Sequence, residues 1–350
     1  MKFASRVDNL KPYIPGEQPN DRVYIKLNAN ENPYPPGESV QKVLSSFDTK
    51  QLSLYPDPDA TKLRQAYAKM NGVSESMVYA GNGSDEILSF VFYTLFGSDK
   101  PLYLPEHNYS IYPEYAGYYN NPLKRIPLND DFSIDLSKFV AEDCGGIIFA
   151  NPNAPTGIEL PVTQIKRLLD SVPRDLPVVV DEAYIDFGAQ SVVPLLKDYE
   201  NLIVTRTFSK GMCFAGARLG FVIANENVIN KIVTVKNSFN HFPIDAIVQE
   251  IGVATCESSD YYKGINATIA NTRDWFAQSL TDNGWNVIPS MTNFLFVSKE
   301  GISGEEIYQK AKSAGILIRY FNHAGIESFV RITVGKREDM QSLLEVLLGE

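Results

Sequence analysis

Between residues 77 and 224 the chain repeats one pattern, a short apolar run followed by an amphipathic stretch of helical period. The runs fall at Val78 to Ala80, Pro101 to Leu104, Gly146 to Ala150, Val178 to Val180, Leu202 to Thr205 and Leu219 to Ala224. A run with no polar alternation has both faces covered, and strands separated by helices pair in parallel. The pattern therefore predicts an α/β fold with a mostly parallel sheet between two helical layers. In such sheets ligands sit outside the carboxyl ends of the strands. The residues that follow each run are the candidate site.

After the fifth run the sequence reads TRTFSKGMCFAGARLGF, Thr205 to Phe221. It places Lys210 beside the hydroxyls of Thr207 and Ser209 and eight residues before Arg218. A lysine amine can form a Schiff base with an aldehyde, while hydroxyls and a guanidinium satisfy a phosphate dianion, which is the grouping that holds pyridoxal 5'-phosphate. Taken alone, the same pattern is an ordinary strand-to-loop edge. The fourth run, PVVVDEAYIDF, ends in Asp181 with Tyr184 three residues on. A carboxylate there can pair with a pyridinium nitrogen, and a tyrosine can donate to the ring's phenolic oxygen. After the first run, GNGSDE gives a strand, a turn of small residues and an acidic helix start, with Gly83, Ser84 and Asp85 at the turn. Free backbone N–H groups and the helix dipole favour a phosphate there. Ser84 or Asp85 could equally be a helix cap, and both uses draw on the same helix end.

The ordered series NANENP (28–33), YPDP (55–58), GNGSDE (81–86), NPNAPTG (151–157), the two segments above, GILIR (315–319) and VRITVG (330–335) covers nearly the whole chain. With it the chain resembles the aspartate aminotransferase-like, fold-type I family of pyridoxal phosphate enzymes, and within it the group acting on histidinol phosphate. The resemblance implies a large domain with a seven-stranded, mostly parallel sheet, a smaller α+β domain, and a homodimer with shared active sites. It implies Lys210 as the Schiff-base residue and proton carrier, Asp181 on the pyridine nitrogen, and Tyr184 on the phenolic oxygen. By the same resemblance the ring of Tyr109 stacks on the cofactor. Thr207, Ser209 and Arg218, with Tyr55 from the other subunit, hold its phosphate. Arg319, Arg331 and Asn32 fall on the substrate side. NPNAPTG departs from the commoner NPNNPTG: Ala154 stands where the family has a cofactor-contacting asparagine. Either Asn153 reaches in instead or Tyr184 bears that contact alone; a cis Ala154–Pro155 bond is also expected of this turn.

Composition narrows the function. A net charge of −10 argues against nucleic acid as a partner. Cys144, Cys213 and Cys256 are scattered and odd in number, which fits a reducing compartment. His107, His241 and His323 lack metal-ligand spacing. The first residues hold no continuous apolar stretch of secretory type, and the longest apolar run, Ile87 to Phe96, is too short for a membrane span. A cytoplasmic enzyme is the expectation. After residue 238 the pattern changes to a long helical stretch through Trp275, then strands at Trp285 to Val297, Ile316 to Tyr320 and Phe329 to Thr333. Helices are expected at Gly304 to Ala314 and Lys336 to Leu348. The expected division is an N-terminal arm over 1–35, a large cofactor domain over 36–238 and a small domain over 239–350. The arm suits the proline-rich stretch from Lys11 to Gly37, which cannot form a long helix or a central strand.

The activity implied is an aminotransferase of histidine biosynthesis. It would convert imidazole acetol phosphate and L-glutamate to L-histidinol phosphate and 2-oxoglutarate by a ping-pong route. An aromatic amino-acid aminotransferase and a threonine-phosphate decarboxylase share the scaffold. A non-enzymatic cofactor-binding regulator is a further alternative, against which stands the lack of a basic DNA-binding segment.

Overall fold

The structure, a computed structural model, describes all residues except 2, 5, 6, 9, 11, 13–15, 98 and 350. Part of the expected N-terminal arm thus lies outside the described residues.

The strand β1 (Ile25–Lys26) precedes a seven-stranded sheet made of β2 (Val78–Gly81), β3 (Leu102–Pro105), β4 (Leu123–Ile126), β5 (Gly146–Ala150), β6 (Val178–Asp181), β7 (Leu202–Thr207) and β8 (Gly220–Ala224). Their spatial order is β2-β8-β7-β6-β5-β3-β4. All neighbours pair in parallel except at β8, which runs antiparallel to both β2 and β7. Six of these strands coincide with the runs read from the sequence. β4 (LKRI) was not among them, because its two central residues, Lys124 and Arg125, are charged and exposed. They lie on the outer edge of the sheet, where charge blocks further strand pairing.

Side chains leave the strands alternately to the two faces. Ile147, Phe149, Val178, Val180, Leu202, Val204, Phe221 and Ile223 join one core. There they meet α1 (Glu38–Ser46), α2 (Thr61–Asn71), α5 (Val162–Ser171) and α7 (Ala246–Glu257). Ile148, Val179, Ile203 and Val222 point the other way into a second core, under α3 (Gly83–Leu95), α4 (Ile111–Tyr119) and α6 (Glu226–Phe239). Each such aliphatic side chain contributes about 1.5–3 kcal/mol through burial.

A smaller antiparallel sheet follows in sequence. It is built from β9 (Asn286–Ile288), β10 (Phe294–Ser298), β12 (Arg319–Tyr320) and β13 (Phe329–Thr333), in the order β12-β13-β10-β9. The stretch expected as one strand region from Trp285 to Val297 is therefore divided at 289–293. β11 (Ile316–Leu317) pairs in parallel with β1. Helices α8 (Ser259–Asp282), α9 (Gly304–Ser313) and α10 (Arg337–Leu348) cover this sheet, with Phe276, Leu280, Ile307 and Leu343 in its core.

The long helical stretch expected after residue 238 is two helices, α7 and α8, separated from α6 by 240–245 and from each other at Ser258. Val248, Ile251 and Cys256 of α7, and Tyr262 early in α8, pack into the core of the seven-stranded sheet. The change of pattern at 238 is thus not a change of packing partner. With 24 residues, or about 36 Å, α8 runs from that core to the small sheet. Its buried Arg273 donates to the carbonyls of Phe187 (3.1 Å) and Thr292 (3.0 Å), one on each side of the seam.

Candidate active site

A cavity of about 670 Å³ opens where the carboxyl edge of the seven-stranded sheet meets β12, β13 and the segment behind β1. Of the residues singled out from the sequence, Ser84, Asp85, Tyr109, Asp181, Tyr184, Thr207, Ser209, Lys210, Arg218, Arg319 and Arg331 line it.

Lys210 follows β7, and its Nζ donates to the carbonyl of Ala29 at 3.0 Å. Removal from water lowers the amine's pKa to about 8, with Arg331 and then Arg218 acting in the same direction. At neutral pH a free-base amine is therefore far more accessible than on an exposed lysine. The backbone beneath it is tightly fixed. A Cβ at Gly211 would lie 2.2 Å from Asp186 Oδ2, so only glycine fits. Asn32 donates from Nδ2 to the carbonyl of Lys210 at 3.1 Å and is not part of the cavity wall. Its amide thus braces the backbone of Lys210.

Asp181 ends β6 and is buried. Its Oδ2 accepts from the Tyr112 hydroxyl at 2.7 Å and its Oδ1 from the Ala183 N–H at 3.2 Å. Burial raises the carboxyl's pKa to about 6 against the opposing pull of the Tyr112 bond. Next to it, Glu182 and Arg206 form a buried ion pair at 2.7 Å. Ser191 and Asn71 take further guanidinium protons at 2.6 Å each, and the Val192 N–H binds Glu182 at 2.7 Å. With every charge partnered, this pair ties the ends of β6 and β7 together.

At the start of α3, Gly83 has φ +75°, and a Cβ there would lie 2.6 Å from Arg218 Nη2. Arg218 bonds Asp85 at 2.8 Å, Ser209 Oγ at 3.4 Å and the Ala215 carbonyl at 3.3 Å. Asn82, not Ser84 or Asp85, takes the N-cap position, and no side chain caps the helix there. The first N–H groups of α3 therefore face the cavity beside a guanidinium and two hydroxyls. Such a grouping can serve as an anion cradle. Thr207 also organises the turn, its Oγ1 accepting from the Ser209 N–H at 3.1 Å.

Opposite lie Arg319 and Arg331, directly paired across β12 and β13. Both guanidiniums approach the Phe321 ring, at 5.6 and 5.4 Å from its centroid, and Arg331 lies 5.3 Å from that of Phe294. Two like charges on neighbouring strands favour an anion between them.

Two expected residues are elsewhere. Asn153 is buried with its amide committed to the His107 carbonyl (3.2 Å) and Thr156 Oγ1 (3.0 Å), and Ala154 takes the place at the wall. The Ala154–Pro155 bond is cis, as is Asn151–Pro152. Tyr55 is 83% exposed and stacks on Phe242 at 4.5 Å, outside its own chain's cavity.

The sequence reading passed over two residues in its own motifs. Asn30 of NANENP donates to the Tyr184 hydroxyl at 2.9 Å, and is itself held by Thr333 Oγ1 and by Asn293 Nδ2 on its carbonyl. Tyr112, three residues after Tyr109 in the segment HNYSIY (107–112), is the partner of Asp181. His107 and His323 also line the cavity.

A lysine and a carboxylate at the edge of a mostly parallel sheet, a candidate anion cradle and an arginine pair fit a pyridoxal phosphate enzyme. The chain belongs to the class I and II aminotransferases, whose family profile matches residues 22–347. It is 47% identical over 349 residues to the histidinol-phosphate aminotransferase of Syntrophus aciditrophicus, spanning 99% of this chain and 97% of the relative. With the enzyme of the same name from Acinetobacter baumannii it shares 44% over 352 residues, at the same coverage. The crystal structure of histidinol-phosphate aminotransferase from Sinorhizobium meliloti in complex with pyridoxal-5'-phosphate superposes with a TM-score of 0.85. It is 26% identical, over 94% of this chain and 91% of that one. The resemblance read from the motifs, and the fold it implied, are borne out.

Proposed function

We propose that the chain is a pyridoxal phosphate-dependent aminotransferase that converts imidazole acetol phosphate and L-glutamate to L-histidinol phosphate and 2-oxoglutarate. The observation that carries this reading is the convergence of Lys210, Asp181, the Arg218 cradle and the Arg319–Arg331 pair on one cavity.

The residues fit the cofactor. The missing Cβ of Gly83 lets the Arg218 guanidinium lie against the start of α3, and the α3 N–H groups, Ser84, Thr207, Ser209 and Arg218 would hold the phosphate. Asp181 would pair with the pyridine nitrogen, Tyr109 would cover the ring face, and Tyr184, oriented by Asn30, would serve the phenolic oxygen. When bound, pyridoxal phosphate supplies an electrophilic aldehyde and a ring that accepts electrons. Lys210 would hold the cofactor through its amine and would serve as the base for the substrate's α-proton, a role its lowered basicity suits near neutral pH. Arg331 and Arg319 bind the anionic group of each substrate in turn, a carboxylate of glutamate or the phosphate of histidinol phosphate.

Single-turnover absorbance spectra with glutamate, histidinol phosphate and phenylalanine test the assignment. Histidinol phosphate is expected to react fastest with the cofactor-loaded enzyme. A far faster reaction with phenylalanine would make it an aromatic amino-acid aminotransferase instead.

The enzyme is proposed to be a cytoplasmic homodimer. Tyr55 stands out from its own chain near the exposed Leu52 and Leu54 and stacks on Phe242, an apolar patch suited to a second copy. There it would reach the partner's cradle. Mixing Lys210→Ala with Tyr55→Phe chains should then restore activity through hybrids with one intact site. Activity no higher than that of the Tyr55→Phe parent would show that each chain uses its own tyrosine or none.

A further inference from the structure

Tyr112 is fully buried in the first turn of α4, its ring packed on Phe92 (centroids 6.4 Å apart) and edge-to-face with Tyr109 (5.6 Å). Packing alone would be met by phenylalanine. Its hydroxyl, however, donates to Asp181 Oδ2 at 2.7 Å, and the Ala183 N–H takes Oδ1. The two donors come from different elements and fix the carboxylate's rotation. Burial and the Asp181 charge keep the phenol protonated, so it donates at every working pH.

We propose that Tyr112 is a positioning residue for the reaction, whose hydrogen bond keeps Asp181 a weak enough base that their shared proton stays on the cofactor's ring nitrogen. The inference rests on the cofactor reading above. A carboxylate stripped of water competes for that proton, and a ring that loses it is a poorer electron acceptor. Burial strengthens Asp181 as a base and the Tyr112 bond opposes it. The other ionisable groups around the carboxyl are Tyr109, Tyr184, Lys210 and Glu182, the last held in its ion pair with Arg206. The buried Thr205 side chain acts on the carboxyl in the same direction, after Tyr112 in size.

The test begins with the apoprotein, where no cofactor signal intrudes. Carbon-13 NMR of labelled aspartate, with the Asp181 signal assigned by its loss in Asp181→Asn, follows the carboxyl's titration. Tyr112→Phe should raise the midpoint by about one unit. Placing 3-fluorotyrosine at 112, a stronger donor of nearly the same shape, should lower it, which keeps the test available should the phenylalanine variant fold poorly. In the holoenzyme Tyr112→Phe should cut kcat about tenfold, with KM for glutamate unchanged. A midpoint unmoved in both variants overturns the proposal, whatever happens to kcat, because the tyrosine is then only packing. A shifted midpoint with normal kcat overturns it too. If the wild-type protein exchanges no amino groups while the midpoints still shift, the aminotransferase reading has failed and not the hydrogen bond.

Discussion

At the proposed cofactor pole, Asp181, Thr207, Ser209, Lys210 and Arg218 stand on neighbouring strand ends and loops of one sheet, and the polar groups there already bind one another. At the opposite pole, Arg319 comes from β12 with Phe321 just after it, Arg331 from β13 and Asn30 from the segment behind β1, so three separate parts of the chain must meet. The first pole is one rigid piece. The second depends on how the small sheet packs against the large one, so substitutions there bear on substrate selection more than on the cofactor groups.

Substitutions at the two poles should therefore fail differently. The largest effect is expected at Asp181→Asn, with kcat down about 1000-fold or more because an amide cannot hold the pyridinium by charge. The same variant has a pH signature in the apoprotein. The folded carboxyl titrates near 6 and the unfolded one near 3.8, so the native state binds the extra proton between those values. Wild-type stability from this group is present at low pH and lost as pH rises through 6. Asparagine escapes that loss, and denaturant titration should show the variant gaining on wild type by up to about 3 kcal/mol from about pH 4 to about pH 7. A pH-independent difference would mean that Asp181 is not strained by burial.

Next in size, Arg331→Ala should lower kcat/KM for histidinol phosphate by about 100-fold while cofactor affinity stays normal; Arg319→Ala should do less, biased toward the phosphate substrate. Loss of cofactor from either variant would erase the distinction between the poles.

Gly83→Ala should act in the reverse sense. Its Cβ meets Arg218 in a left-handed backbone conformation, and the cofactor dissociation constant should rise about tenfold, with KM for glutamate little changed. Equilibrium dialysis reads it directly. Smallest of all, Asn30→Ala removes one hydrogen bond to Tyr184, and kcat should fall about fivefold. A much larger fall would show that Asn30 organises both poles.

The same contrast explains what could be read in advance. Strand ends and the residues after them announce themselves locally, because a buried strand must be apolar and a chemical residue at its end interrupts it; Asp181 and Lys210 were found that way. Partners supplied by distant segments carry no such mark. Asn30 looks like one more asparagine in NANENP, and only its bonds to Tyr184 and Thr333 distinguish it from Asn32, which supports Lys210 from behind. Tyr112 lies at helical spacing from Tyr109 and reads as core, which it also is. Asn153 was hard for the opposite reason: its motif fixes the turn but not which way the amide faces. The edge strand β4 escaped notice because its charges break the apolar pattern.

The antiparallel strand β8 bears on how the protein acquires its function during folding. β2 has β8 as its only neighbour in the sheet, and the ion pair between Asp85 and Arg218 spans 133 residues of sequence. β3 to β7 can associate through nearer pairings, but the cradle cannot exist until β8 has entered beside β7 and captured β2. Long-range closures of this kind are slow, since chain entropy is lost before the contacts form. A chain emerging from the ribosome thus carries Lys210 before it has anywhere to seat a phosphate, and gains that seat only when β8 ties the first strand of the sheet into place.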